Sequence, residues 1–96
     1  MSMQYLMVKE FHAQIQKLRK RGGPFTKAAN EVTDLVLRIN ANHASPFAGI
    51  NLTHHGESRI KKCIKYDLPG AVRLVTVQDN GVCLLAYLAD HDDTNA

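Results

Sequence analysis

The spacing of apolar and polar positions changes once along this chain, and the change divides it into a helical first half and a strand-rich second half. Phe11, Ile15 and Leu18 stand at i, i+4 and i+7, which puts them on one helical face. Lys17, Arg19, Lys20 and Arg21 crowd the end of that segment, where cations suit the negative pole of the helix dipole, and Gly22-Gly23-Pro24 stops it. A second helix is expected from Thr26, read as its N-cap, to Asn40. In it Ala28, Ala29, Val32, Leu35, Val36 and Ile39 form an apolar stripe, with Lys27, Glu31, Asp34 and Arg38 turned outward. The connection is short, so the two helices should lie antiparallel. Residues 5–8 fit either the opening of the first helix or a short first strand, and the strand is preferred.

Beyond Asn40 the signals are those of loops and strands. Residues 40–49 are small and polar around Ser45-Pro46 and read as a loop. A short strand is expected at 50–54 and a longer one at 59–68, ended by Asp67-Leu68-Pro69-Gly70. Residues 71–78 make the next strand, Asp79-Asn80-Gly81 is a hairpin signal, and 82–89 is an almost unbroken apolar run suited to the middle of a sheet. The expected fold class is α+β: two N-terminal antiparallel helices packed on one face of an antiparallel β-meander of three to five strands. Ninety-six residues make this a single domain over 1–96.

Composition narrows the class without choosing a function. An apolar share of 45% is that of a globular protein, and a formal charge of +3 is compatible with a polyanionic partner without requiring one. No apolar run approaches the roughly 18–20 residues of a membrane span, and the N-terminus lacks the apolar region of a secretion signal, so a cytoplasmic location and no membrane partner are expected. Cys63 and Cys83 form no CxxC pair and read as reduced thiols.

Strand alternation makes the 59–68 segment legible. Ile60, Ile64, Tyr66 and Leu68 share one face, Arg59, Lys61, Cys63 and Lys65 the other, and Lys62 breaks the pattern. Such a cationic face is either a solvated surface that resists edge aggregation or a track for phosphates. Arg73 lies in an otherwise nearly apolar strand, where a guanidinium must be paired with an acid or held for an anionic ligand. Glu57 and Asp67 are the candidate acids, and both readings stay open.

Five histidines complete the chemistry. His12 and His43 read as surface or satisfied core residues, whereas His54-His55 and His91 close predicted strands. If those strand ends share a rim, one imidazole accepts a proton while another donates one, beside fixed positive charge, as a metal-free nuclease requires. The rival is a transition ion held by His91-Asp92-Asp93 and His54-His55; no HExxH-like spacing supports it, and neither a metal nor another cofactor is expected.

A basic helix pair, then Tyr66-Asp67-Leu68-Pro69-Gly70-Ala71-Val72-Arg73-Leu74, then an apolar strand ending Leu88-Ala89-Asp90-His91-Asp92, resembles the RelE/ParE superfamily of bacterial toxins. The similarity is greatest to RelE-type mRNA interferases and their histidine-using, HigB-like branch. The resemblance spans nearly the whole chain and implies that Arg73 holds the scissile phosphate. It further implies catalytic positions at His91 and at His54 or His55, with Lys61, Lys62 and Lys65, and Arg59 beside them, presenting cations to mRNA. It implies a cognate antitoxin and the ribosome as partners, with oligomeric state left open. The chain departs from the pattern after His91-Asp92-Asp93-Thr94-Asn95, where an apolar tail is expected, so a missing C-terminal tail is anticipated. Fold carries over more safely than activity, because ParE-like members poison gyrase and cut no RNA. A non-catalytic module that docks on a protein, and an unrelated α+β binding module, are the other functional classes.

Overall fold

In the computed structural model, which describes residues 3–53 and 62–89, β1 (Gln4–Met7) leads into α1 (Phe11–Arg21) and α2 (Pro24–Asn40). There follow β2 (Asn51–Leu52), β3 (Cys63–Leu68), a 3-10 turn at Pro69–Ala71, β4 (Val72–Asp79) and β5 (Val82–Ala89). The sheet order is β1-β5-β4-β3-β2. Strands β2 to β5 form the expected antiparallel meander, while β1 lies parallel to β5 and makes the sheet mixed. The helical pair carries the chain between β1 and the meander, the kind of long crossover that parallel neighbours need. The preferred reading of residues 5–8 as a strand therefore holds, with bounds Gln4–Met7.

The first helix begins at Phe11 as its apolar spacing implied, but the second starts two residues before the expected Thr26 cap. Gly23 occupies the cap position, Pro24 opens the helix, and the Thr26 side chain makes no capping bond. Proline suits that place because its missing N–H is one the first turn leaves unpaired anyway. Arg19 then ties the helices together, donating through Nη2 to Asn30 Oδ1 and Thr33 Oγ1 at 3.2 Å each. The strand expected at 50–54 is shorter, Asn51–Leu52, and the one expected at 59–68 is found as Cys63–Leu68, with Lys62 in a turn before it.

One face of the sheet receives the helices. Phe11, Val32 and Leu35 meet Val72, Leu74 and Leu85, all essentially inaccessible to solvent. Burial of each such side chain contributes about 1.5–3 kcal/mol. Thr76, the buried polar residue of this face among the described residues, satisfies its hydroxyl by donating to the Ile64 carbonyl at 2.8 Å. Beside it, burial pushes the Cys83 thiol up to about 11, with the Thr76 hydrogen bond pulling the other way. The Asp79-Asn80-Gly81 signal is realised as a two-residue turn with φ of 50° at Asn80 and 79° at Gly81, the left-handed pair that the twist of a tight hairpin selects.

Candidate functional site

The sheet face away from the helices gathers the polar chemistry, and register shows how. Asn51, Asp67, Arg73 and Ala89 form one row across β2, β3, β4 and β5. Lys65, Val75 and Tyr87 form the next, with the Thr53 N–H donating to the Lys65 carbonyl at its edge. A third row, Cys63, Val77, Leu84 and Leu6, is apolar apart from its thiol. Arg73 is thus a diagonal neighbour of both Lys65 and Tyr87, about 7–8 Å away in a regular sheet.

Arg73 lies in an interior strand with its side chain only 18% exposed, and Asp67 answers its charge: Nε and Oδ1 are 3.7 Å apart. The same carboxylate oxygen accepts the Thr53 hydroxyl at 2.7 Å. Of the two acids proposed from sequence, Asp67 is therefore the one the described residues bring to Arg73; Glu57 lies outside them. The pairing leaves the arginine underused. Among the described residues its guanidinium makes no other polar contact, and no buried side-chain nitrogen is left unpartnered, so its terminal nitrogens reach solvent. A guanidinium steadied at Nε with its two-pronged end open is suited to bidentate capture of a phosphate.

The other expected site residues divide. Lys65 shares Arg73's face in the neighbouring row. Lys62 does not: it is bound to Asp79 at 2.9 Å, beside the hairpin end of β4. It is five residues along from Asp67, a distance of about 16 Å in extended chain. His54, His55, Arg59, Lys61 and His91 fall outside the described residues. Their flanks are described. Thr53, just before His54, bonds Asp67, and Ala89, two residues before His91, stands opposite Arg73. Strands β2 and β5, which hold these two flanks, run in opposite directions.

Tyr87 reaches the open face by a step that the sequence pattern concealed. Thr76 faces Leu85 while Val75 faces Tyr87, so Ala86 is an extra residue in β5. The bulge reverses the alternation beyond it and brings Tyr87 and Ala89 to the open face. Past the end of β1, the freed Leu88 N–H donates to Gln14 Oε1 of α1 at 2.6 Å. Within an unbroken apolar run no polar residue marks the change of phase; the run's one tyrosine was the available signal.

No family model matches the chain, and no curated protein is found as a relative. Solved structures do resemble it. A copper-bound mutant toxin from Helicobacter pylori superposes with a TM-score of 0.56 over 94% of this chain and 96% of that one, at 16% identity. Two conserved hypothetical proteins of the same organism, HP0894 and HP0892, each give 0.53 over 96% of this chain and 98% of theirs, at 16% and 17% identity. At such identities the likeness is one of fold, and it extends over almost the whole of each chain.

Proposed function

We propose that this chain is the toxin of a type II toxin–antitoxin pair and acts in the cytoplasm as a metal-independent endoribonuclease on ribosome-associated mRNA. The observation that carries this reading is Arg73, held by Asp67 on an open sheet face with its terminal nitrogens unengaged and Lys65 beside it. RNA supplies its own nucleophile, the 2′-OH, so the protein has only to position the bond, move protons and hold charge. In this mechanism His54 or His55 takes the 2′-OH proton and His91 protonates the leaving 5′-oxygen, or the reverse. Arg73 and Lys65 stabilise the added negative charge of the pentacoordinate transition state, while Arg59 and Lys61 hold flanking phosphates. Acid–base catalysis of this kind contributes roughly 10²–10⁴-fold. The products are a 2′,3′-cyclic phosphate or 3′-phosphate and a 5′-hydroxyl.

The test is expression of the chain alone, followed by mapping of RNA 5′ ends in arrested cells and cleavage by purified protein in excess EDTA. Growth arrest with new 5′-hydroxyl ends, and cleavage that survives the chelator, are expected. Arrest with intact mRNA would support the second reading, a non-catalytic module of the same fold that docks on a protein. That reading draws on the row Leu6-Leu84-Val77, where Leu6 and Val77 are 46% and 40% exposed, an apolar strip of the kind protein contacts use.

A further inference from the structure

We infer that Thr53 is a latch on Asp67: its hydroxyl keeps the carboxylate from closing on Arg73 and leaves the guanidinium to a phosphate. Thr53 is thus a positioning residue that acts through Asp67 and Arg73. The inference rests on the reading of the chain as an RNA-cutting protein and deepens it by naming what keeps its arginine available.

The first observation is a distance. A carboxylate and a guanidinium in reach of each other ordinarily close into charge-assisted hydrogen bonds of about 2.7–2.9 Å, often two in parallel. Asp67 and Arg73 sit directly opposite each other on β3 and β4, yet Nε and Oδ1 stand 3.7 Å apart. At that separation the charges still attract, but no hydrogen bond forms. Asp67 is not held off by packing, since its side chain is 51% exposed and has room to swing. Among the described residues of its row and the next, it is also the single acid that could capture the arginine.

The second observation is what the carboxylate does instead. The Thr53 hydroxyl donates to the same Oδ1 at 2.7 Å, the normal length of a full O–H···O bond. Thr53 is itself fixed, because its N–H donates to the Lys65 carbonyl at 2.9 Å and carries the β2–β3 pairing one residue past Leu52. That seat is one diagonal step from Asp67. Without the hydroxyl the carboxylate turns onto Arg73, and the two-pronged end that would hold a phosphate is satisfied internally.

The experiment follows hydrogen exchange at the Arg73 guanidinium by NMR, and the binding of fluorescein-labelled oligouridylate across a range of salt. Thr53→Val is nearly isosteric and keeps the backbone bond. It should slow Arg73 exchange severalfold and weaken oligouridylate binding roughly tenfold. Its salt slope should become shallower by about 1, the mark of one lost phosphate contact. Thr53→Ser, which keeps the hydroxyl, should return both readouts to wild-type values. Adding Asp67→Asn to Thr53→Val should do the same, because a neutral amide does not capture a guanidinium. A merely structural loss at position 53 would not be repaired at position 67. Unchanged exchange and binding in Thr53→Val, or a double variant as weak as the single one, overturns the latch. If Arg73→Ala still weakens binding in that case, the nuclease reading survives. Slowed exchange in Thr53→Val, with no oligouridylate bound by the wild type, supports the latch and overturns the nuclease reading.

Discussion

The two faces of the sheet are built from the same strands by the same alternation, yet they do opposite things with their side chains. On the helix-covered face Leu74 and Leu85 are sealed from solvent, and Thr76 is accommodated only because its hydroxyl reaches the Ile64 carbonyl. On the other, Arg73 is steadied by a single carboxylate at 3.7 Å, Lys65 has no described partner, and Tyr87 stays open. The first face is satisfied within the molecule. The second is left incomplete, and incompleteness of cations and an aromatic ring is what a ligand can use. Stability should therefore reside on one face and binding on the other.

Substitutions that separate stability from activity test this division. Leu74→Ala should have the largest effect on folding, a loss of about 2–5 kcal/mol in urea unfolding, because it empties a site with no solvent access. Next comes pH. Folding raises the Cys83 thiol from 9.0 to about 11, so its contribution is fully present below pH 9 and is lost as pH rises between those values. Burial also raises the Tyr66 phenol, which adds to the same alkaline loss. Unfolding measured from pH 8 to 11 should show stability falling by on the order of 2 kcal/mol, and Cys83→Ala should flatten the curve. A native-state thiol reagent should correspondingly modify the half-buried Cys63 before Cys83. The smallest effect is expected from Lys62→Ala. Its pair with Asp79 is exposed on both sides and far from Arg73, so stability should change by less than about 0.5 kcal/mol, with RNA cleavage nearly unaltered. A large loss of cleavage there would extend the active face to the hairpin end of the sheet.

How much of this was legible beforehand follows from which signals are local. The stripe from Ala28 to Ile39 and the Asp79-Asn80-Gly81 turn announce themselves within a few residues, and both are found where expected. Arg73 was conspicuous because a guanidinium in an apolar strand demands an explanation, and the choice between Glu57 and Asp67 needed only the β3–β4 register. The parallel seat of β1 was hidden, since nothing in four residues specifies which strand they will join. The start of α2 was misplaced because Thr26 looks like a cap, whereas Pro24 after Gly23 serves the same turn without a side-chain bond. Tyr87 was hidden for a different reason: one inserted residue changes the facing of everything after it, and an apolar run carries no mark of its phase.

The most direct measurement of the central claim takes Arg73→Ala through two assays on the same preparation, urea unfolding and RNA cleavage. Unfolding should shift by less than about 1 kcal/mol, because a 3.7 Å contact to a half-exposed carboxylate contributes little. Cleavage should fall roughly 10²–10³-fold, the usual cost of removing one preorganised group that holds developing negative charge. A variant that unfolds readily yet, while folded, cleaves like the wild type would show that Arg73 belongs to the scaffold and that the open face is not the site.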